Sequence, residues 1–362
     1  MVFTFHVPAL PHTVTGDPRF SSCAFTGIAQ RFASAMTKRG HRVIHYGNEG
    51  SVVDMEHVEV FSRRQQEKLF GKEPWWKSGD IRAFPWREES FTTWNAIARE
   101  EIARRASARD FVCIIGGRMQ SELASIPGTL GVEYSIGHPP KGSFTKKHRA
   151  FVSHAWMNYC YGVLGESDGQ FTDTVIYPPV DPSEFDCQES KGDYLLFLGA
   201  VSIAKGIHIA IEVARDAGVQ LVVAGGGEKG TEPWVDYRGV VGPHVRRELL
   251  AGARAVIMPT TYLEPFGLVA LEAMMSDTPV ITTDFGAFTE TVEHGVTGFR
   301  CRRHEEFLDA VRRAGEIEPG ACRSRAIDLS CPARVAERYE TWFAQLSDLW
   351  EKGYYTERKA DR

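Results

Sequence analysis

The sequence predicts an α/β protein built from two doubly wound parallel sheets, and three observations lead there. At 362 residues the chain is too long for one ordinary core and divides into about two domains. Short runs rich in Val, Ile and Phe alternate with longer amphipathic stretches, the pattern of parallel strands joined by crossover helices. The alternation then restarts after Tyr177-Pro178-Pro179-Val180-Asp181-Pro182, where three prolines stiffen the connection as a hinge between two sheets does.

In the first half the apolar runs predict strands at Val2–Val7, Arg42–Tyr46, Val58–Phe61, Phe111–Ile115, Val132–Ile136 and Thr174–Tyr177. Phe25, Ile28, Phe32 and Met36 recur at helical spacing and predict a helix over Ser22–Arg39, closed by Gly40 where a glycine past a helix end belongs. Trp94, Ile97 and Ile102 mark a second helix over Glu89–Ala106. In the second half, strands are predicted at Tyr194–Leu198, Gln220–Ala224, Tyr237–Val241, Ala255–Met258 and Val280–Thr283. Helices fall at Gly206–Ala217, Val245–Ala253, Gly267–Ser276 and Glu305–Ala314. A last helix, Pro332–Trp350, carries Val335, Tyr339, Trp342, Phe343, Leu346 and Trp350. That much apolar surface predicts a helix crossing back to the first domain. The expected division is therefore 1–178 with an insertion at about 63–94, 179–331, and a crossing helix with a tail over 332–362.

Composition bounds the function. At 43% hydrophobic and 25% charged the chain is globular, and neither disordered nor fibrous. Forty-two basic against forty-seven acidic side chains leave a net charge of -5, which argues against a general affinity for nucleic acid. No apolar run reaches the roughly 18 residues that span a bilayer, though peripheral membrane contact stays open. Seven scattered cysteines with no C-x-x-C pair give no disulfide framework or zinc site and point to the cytoplasm. No metal site is expected.

The most informative stretch is Thr260-Thr261-Tyr262-Leu263-Glu264-Pro265-Phe266-Gly267-Leu268-Val269-Ala270-Leu271-Glu272-Ala273-Met274. It follows an apolar strand, and its helix begins near Gly267. A strand, a glycine turn and a helix start present free backbone amides beside a positive dipole end, a place for phosphate. Glu272, about one and a half turns in, is placed to accept two hydroxyl hydrogen bonds from a ribose, and Glu264 to meet hydroxyls of a sugar held on those amides. The competing reading makes both ordinary acids near a helix start.

Together with Phe197–Gly206 (FLGAVSIAKG), Val222–Gly227 (VVAGGG) and Pro279–Phe299, this stretch resembles the nucleotide-sugar half of the retaining family-four glycosyltransferases of GT-B architecture. The resemblance is strong over 174–300 and only an outline before it. It implies two Rossmann-like domains facing a cleft, the first acceptor-side and the second binding the nucleotide sugar. Carried over residue by residue, Glu272 holds the ribose; Gly199, Glu264, Phe266 and Gly267 line the donor; the amides of Leu268 and Val269 face the diphosphate. Lys205 matches the family lysine that neutralises the leaving phosphates. One departure matters: the family's arginine after the glycine is Ala200 here, so a fork-shaped donor is lost from the diphosphate clamp. Lys141, Lys146, Lys147, His148 and Arg149 are candidate replacements.

The family places a catalytic histidine after a strand of the first domain, and His138 in VEYSIGHPPKG is the candidate, with His6 and His154 as competitors. Ser21, Ser22 and Thr26 at the first helix start either cap it or contact the acceptor. Trp75 and Trp76 lie in a loop of interleaved aromatic and basic residues that could stack an acceptor or simply bury themselves.

Gly225–Gly230 fits G-x-G-x-x-G but runs into Thr231-Glu232-Pro233 instead of a helix, so a nicotinamide site is not supported. No phosphate-binding P-loop sequence and no Asp-x-Asp pair occur. The expectation is a metal-independent, retaining glycosyltransferase with no cofactor, moving a hexose-like sugar from a UDP or GDP donor to an unidentified acceptor hydroxyl, with Lys205, Glu264 and His138 as its catalytic groups. The alternatives are a catalytically silent sugar-nucleotide-binding or scaffold protein, motivated by Ala200, and a GT-B-fold sugar-nucleotide epimerase.

Overall fold

The computed structural model describes residues 1–20, 23–71, 88–138, 144, 148–166 and 169–350. The chain forms two compact units. The first comprises Met1–Val152, Met157–Pro178 and Pro332–Arg362, and the second Ser153–Trp156 and Pro179–Cys331.

The first unit holds a seven-stranded, wholly parallel sheet. Its strands are β1 (Thr4–Pro8), β2 (Arg42–Asn48), β3 (Glu56–Phe61), β4 (Phe111–Ile114), β5 (Leu130–Ile136), β6 (His148–Phe151) and β7 (Thr174–Val175), in the order 3-2-1-4-5-6-7. Helices α1 (Ala24–Lys38), α2 (Arg63–Phe70) and α3 (Glu88–Arg105) connect the early strands, and α4 (His154–Leu164) follows β6 in the chain. On one face, α1 and the C-terminal helix Pro332–Leu349 pack together. Phe343 lies 4.6 Å from Phe5 and 4.8 Å from Phe111, and Tyr339 lies 4.8 Å from Phe32, ring to ring. On the other face Trp94 and Ile102 of α3 join Ile44, Tyr46, Val112 and Ile114 in a second core. The apolar stripe of the C-terminal helix is thus consumed within this unit.

Three local features of this unit go beyond the sequence pattern. His148 and Arg149 are not loop cations but form part of β6. The Arg149 guanidinium is fully buried and bonded to Asp173 at 2.6 Å and Glu166 at 2.7 Å, and His148 bonds Thr172. The Arg149 charge is thus already paired within the first unit. The segment following the third strand opens with a short capped helix, α2, before the residues outside the described set. Among the described residues no side chain caps α1: its first turn follows Cys23, and Thr26 instead donates to Thr13 Oγ1 at 2.9 Å.

The second unit is a six-stranded parallel sheet of β8 (Tyr194–Leu198), β9 (Gln220–Ala224), β10 (Val235–Gly239), β11 (Ala255–Met258), β12 (Val280–Thr283) and β13 (Gly298–Cys301), ordered 10-9-8-11-12-13. Helices α5 (Ile207–Ala217), α6 (Pro243–Gly252), α7 (Leu268–Met275), α8 (Phe288–Thr291), α9 (His304–Arg313) and α10 (Ala321–Ser330) alternate with them. Leu195, Phe197, Leu221, Val223, Ile257 and Ile281 meet Val213 and Phe307 of α5 and α9 in one buried cluster. Strands covered on both faces carry continuous apolar runs, which is why β8, β9, β11 and β12 fall residue for residue where the sequence predicts them. The strand order reverses between β8 and β11. In such sheets ligands bind outside the carboxyl ends of the strands at that reversal.

Candidate active site

The loops leaving β8 and β11 meet at the reversal point, and backbone hydrogen bonds tie them together. Gly199 N donates to Ala224 O and Val201 N to Gly226 O, both at 2.9 Å, anchoring the first loop on the β9 side. On the other side Thr261 N donates to Ala204 O at 2.9 Å. Gly206 allows this closeness: it adopts a left-handed φ of 77°, and a Cβ there would stand 1.9 Å from Pro259 O.

This scaffold brings Lys205 and Glu264, distant in sequence, into contact. Lys205 Nζ lies 3.0 Å from Glu264 Oε2. Tyr262 OH bonds both groups, and its ring sits beneath the ammonium at 4.9 Å. Glu264 is nearly buried, and its carbonyl accepts from Ala287 N at 3.1 Å, so the turn after β12 fixes it as well. A carboxylate this buried needs polar partners to offset its lost hydration, and Lys205 with Tyr262 supplies them.

Beyond Glu264 the chain passes buried Phe266 and turns at Gly267, where a Cβ would strike Phe288 at 2.6 Å, into α7. The first free amides of α7, those of Leu268 and Val269, therefore point out of the helix start without intrahelical partners. Glu272, in the second turn, is buried among Ala270, Leu271, Ala273 and Met274, and its Oε2 is bonded by Arg246 Nη2 from α6.

Gly199, Lys205, Glu264, Phe266, Gly267, Leu268, Val269 and Glu272 thus all belong to the second unit, on the loops at the carboxyl edge of its sheet and the first two turns of α7. Two participants escaped sequence reasoning. Tyr262 lies inside the informative stretch but had no role assigned, and Arg246 is one of two adjacent arginines on an amphipathic helix with nothing local to say which faces inward. In the first unit His138 follows β5, and its Nε2 lies 3.0 Å from Glu133 Oε1, a fully buried carboxylate. A lone glutamate in the apolar run of β5 was the available signal for that partner. His6 is locked inside the sheet between Tyr46 OH at 2.7 Å and Asp110 at 3.1 Å, and burial lowers its pKa. His154 starts α4, its backbone N–H bonded to Glu290. Ser21, Ser22, Trp75, Trp76, Lys141, Lys146 and Lys147 lie outside the described residues.

Residues 185–326 match the family model described as glycosyl transferases group 1. The matched residues lie within the second unit. An uncharacterized glycosyltransferase of Methanocaldococcus jannaschii is 31% identical over 154 residues, covering 34% of this chain. This chain spans 39% of that relative's length. Among solved structures, AviGT4, a glycosyltransferase involved in avilamycin A biosynthesis, superposes with a TM-score of 0.68 over 96% of this chain and 98% of its own, at 23% identity. HepE of Anabaena, solved with UDP-glucose, gives 0.65 over 95% of this chain and 100% of its own, at 14% identity. The two-sheet fold is the GT-B fold of these neighbours. No described helix is long and apolar enough to cross a membrane.

Proposed function

We propose that this chain is a retaining glycosyltransferase that moves a hexose-like sugar from a nucleoside diphosphate to an acceptor hydroxyl, without a metal or other cofactor. The observation that carries the reading is the Lys205–Glu264 pair at 3.0 Å, set at the strand-order reversal beside the start of α7. A dianionic diphosphate on the amides of Leu268 and Val269 competes with Glu264 for the Lys205 ammonium. Once Lys205 turns to the phosphates, Glu264 is released to accept hydrogen bonds from the sugar. Lys205 and the helix start then stabilise the charge that grows on the leaving phosphate, the work a metal ion performs in other transferases. Glu272 receives the ribose hydroxyls. His138, oriented by Glu133, is assigned to the reacting sugar on the resemblance, and the leaving phosphate takes the acceptor's proton.

Uridine donors are the first to test, because HepE was solved with UDP-glucose; GDP donors remain the second series. Seven unpaired cysteines favour the cytoplasm as its compartment. Calorimetric titration of UDP, GDP and ADP into wild type and Glu272→Ala tests the reading. One nucleotide binding, and binding at least about tenfold more weakly to the variant (about 1.4 kcal/mol), is the expected outcome; equal binding by the two proteins defeats it. Ala200, which removes one phosphate cation, favours a second reading as a silent binder. Slow release of UDP from UDP-glucose without acceptor excludes that reading.

A further inference from the structure

The pairing of Glu272 with Arg246 is unlike an ordinary structural ion pair between helices. A guanidinium and a carboxylate usually meet as a two-pronged fork, yet here one nitrogen, Nη2, bonds one oxygen, Oε2. Arg246 Nε is buried with no hydrogen-bond partner among the described residues, and Glu272 Oε1 takes no hydrogen bond from any of them. The pair therefore leaves one N–H donor of Arg246 and one carboxylate acceptor of Glu272 unspent among the described residues. A buried donor without a partner costs roughly 1–3 kcal/mol, and such a site is satisfied by a ligand that offers both an acceptor and a donor. A vicinal diol does so: one hydroxyl donates to the carboxylate while the oxygen of its neighbour accepts from the guanidinium.

We propose that Arg246 is a positioning residue for ribose recognition, holding Glu272 in one rotamer and completing the contact to the ribose diol. The proposal rests on the nucleotide-sugar reading and deepens it. Arg246 is also the ion-pair partner of a carboxylate buried among Ala, Leu and Met side chains, and a buried charge that loses its partner is left uncompensated. Its removal therefore disables Glu272 without touching it.

The test compares UDP with dideoxy-UDP, which lacks both ribose hydroxyls, by calorimetry on wild type, Arg246→Gln, Arg246→Lys and Glu272→Gln. Wild type is expected to prefer UDP by at least about tenfold. Arg246→Gln should lose about that factor for UDP and keep its dideoxy-UDP affinity within about twofold, matching Glu272→Gln. Retained dideoxy-UDP binding shows that the site is folded. Arg246→Lys, which keeps the charge but not the fork, should recover part of the preference, and it carries the test alone should the glutamine variant not fold. An undiminished wild-type preference in either the glutamine or the lysine variant overturns the role of Arg246 while leaving the nucleotide reading standing. A wild type that binds both nucleotides equally overturns the ribose role of Glu272 itself.

Discussion

Helix α5 is bracketed by two left-handed glycines, and the difference between them isolates what holds the site together. Gly206 precedes the helix at φ 77° and Gly218 follows it at φ 67°. Alanine at either position pays the left-handed penalty of about 1–2 kcal/mol. At Gly218 a Cβ meets nothing within 4 Å, whereas at Gly206 it falls 1.9 Å from Pro259 O and 2.7 Å from Pro259 C. An ordinary carbon–oxygen contact is about 3.3 Å, so the two loops must part by about 1 Å or more. Overpacking of this kind adds roughly 1–3 kcal/mol. The displacement acts on the neighbouring Thr261–Ala204 hydrogen bond and then on Lys205 and Glu264. Gly206→Ala is therefore expected to be about 1–3 kcal/mol less stable than Gly218→Ala by urea midpoint. It should also bind UDP about tenfold or more weakly, while Gly218→Ala binds within about twofold of wild type. Equal stabilities, with nucleotide affinity intact in Gly206→Ala, would refute the argument that the close approach of these loops builds the site.

Two further outcomes follow from the charges. Lys205→Met should slow UDP release from UDP-glucose by about 100-fold or more, with a smaller loss in UDP affinity, because the ammonium acts most on charge formed in the transition state; steady-state hydrolysis decides it, and an unchanged kcat counts against the assignment. The second outcome concerns pH. Burial pushes His12 down to about 4 and His45 down to about 3, His45 also feeling His57 beside it. Both are bases held neutral in the fold, so the unfolded chain takes protons below about pH 6.5 that the folded chain refuses. Their stabilisation is complete above about pH 6.5 and falls as the pH drops toward 4, by up to about 1.4 kcal/mol per pH unit for each. Urea midpoints between neutral and acid pH should show that slope, and His45→Gln should reduce it; a flat profile in wild type contradicts the burial argument.

What the sequence made legible follows how each residue is buried. Strands β8, β9, β11 and β12 are apolar on both faces and could be read as uninterrupted runs. Strand β6, His-Arg-Ala-Phe, could not: its Arg149 is neutralised by Asp173 and Glu166, and nothing local announces a buried cation. Strand β13 is only four residues long with an arginine inside it, and α10, Ala-Cys-Arg-Ser-Arg-Ala-Ile-Asp-Leu-Ser, lacks a clear apolar stripe. Strand β10 begins two residues earlier than its apolar pattern suggests; it lies at the sheet edge and carries charged and polar side chains. The site divides the same way. Lys205, Glu264 and Glu272 sit in contiguous loop and helix-start sequences whose chemistry depends on local backbone geometry. Arg246 and Glu133 acquire meaning only through partners brought to them by the fold.

On the proposed reading, those partnerships account for how a chain with Ala200 in place of the family's arginine would hold a diphosphate. In the unliganded molecule each proposed donor-binding carboxylate is already matched by a cation, Lys205 for Glu264 and Arg246 for Glu272. The site is therefore close to neutral, and neither carboxylate faces its surroundings as an uncompensated charge. The two pairs are not equivalent. Arg246 holds a buried oxygen of Glu272 by a single prong and, in the proposed role, stays with it when the nucleotide binds. Lys205 is about one-third exposed on a flexible stem and shares its carboxylate with Tyr262, so it can leave without abandoning Glu264 to an apolar wall: Tyr262 remains as a donor. In the proposed exchange, Lys205 passes from carboxylate to phosphate as one mobile cation for the diphosphate, with the fixed amides of α7 contributing the rest. A lysine suits that task better than an arginine, because a compact ammonium can change partners without having to re-form a planar two-pronged geometry.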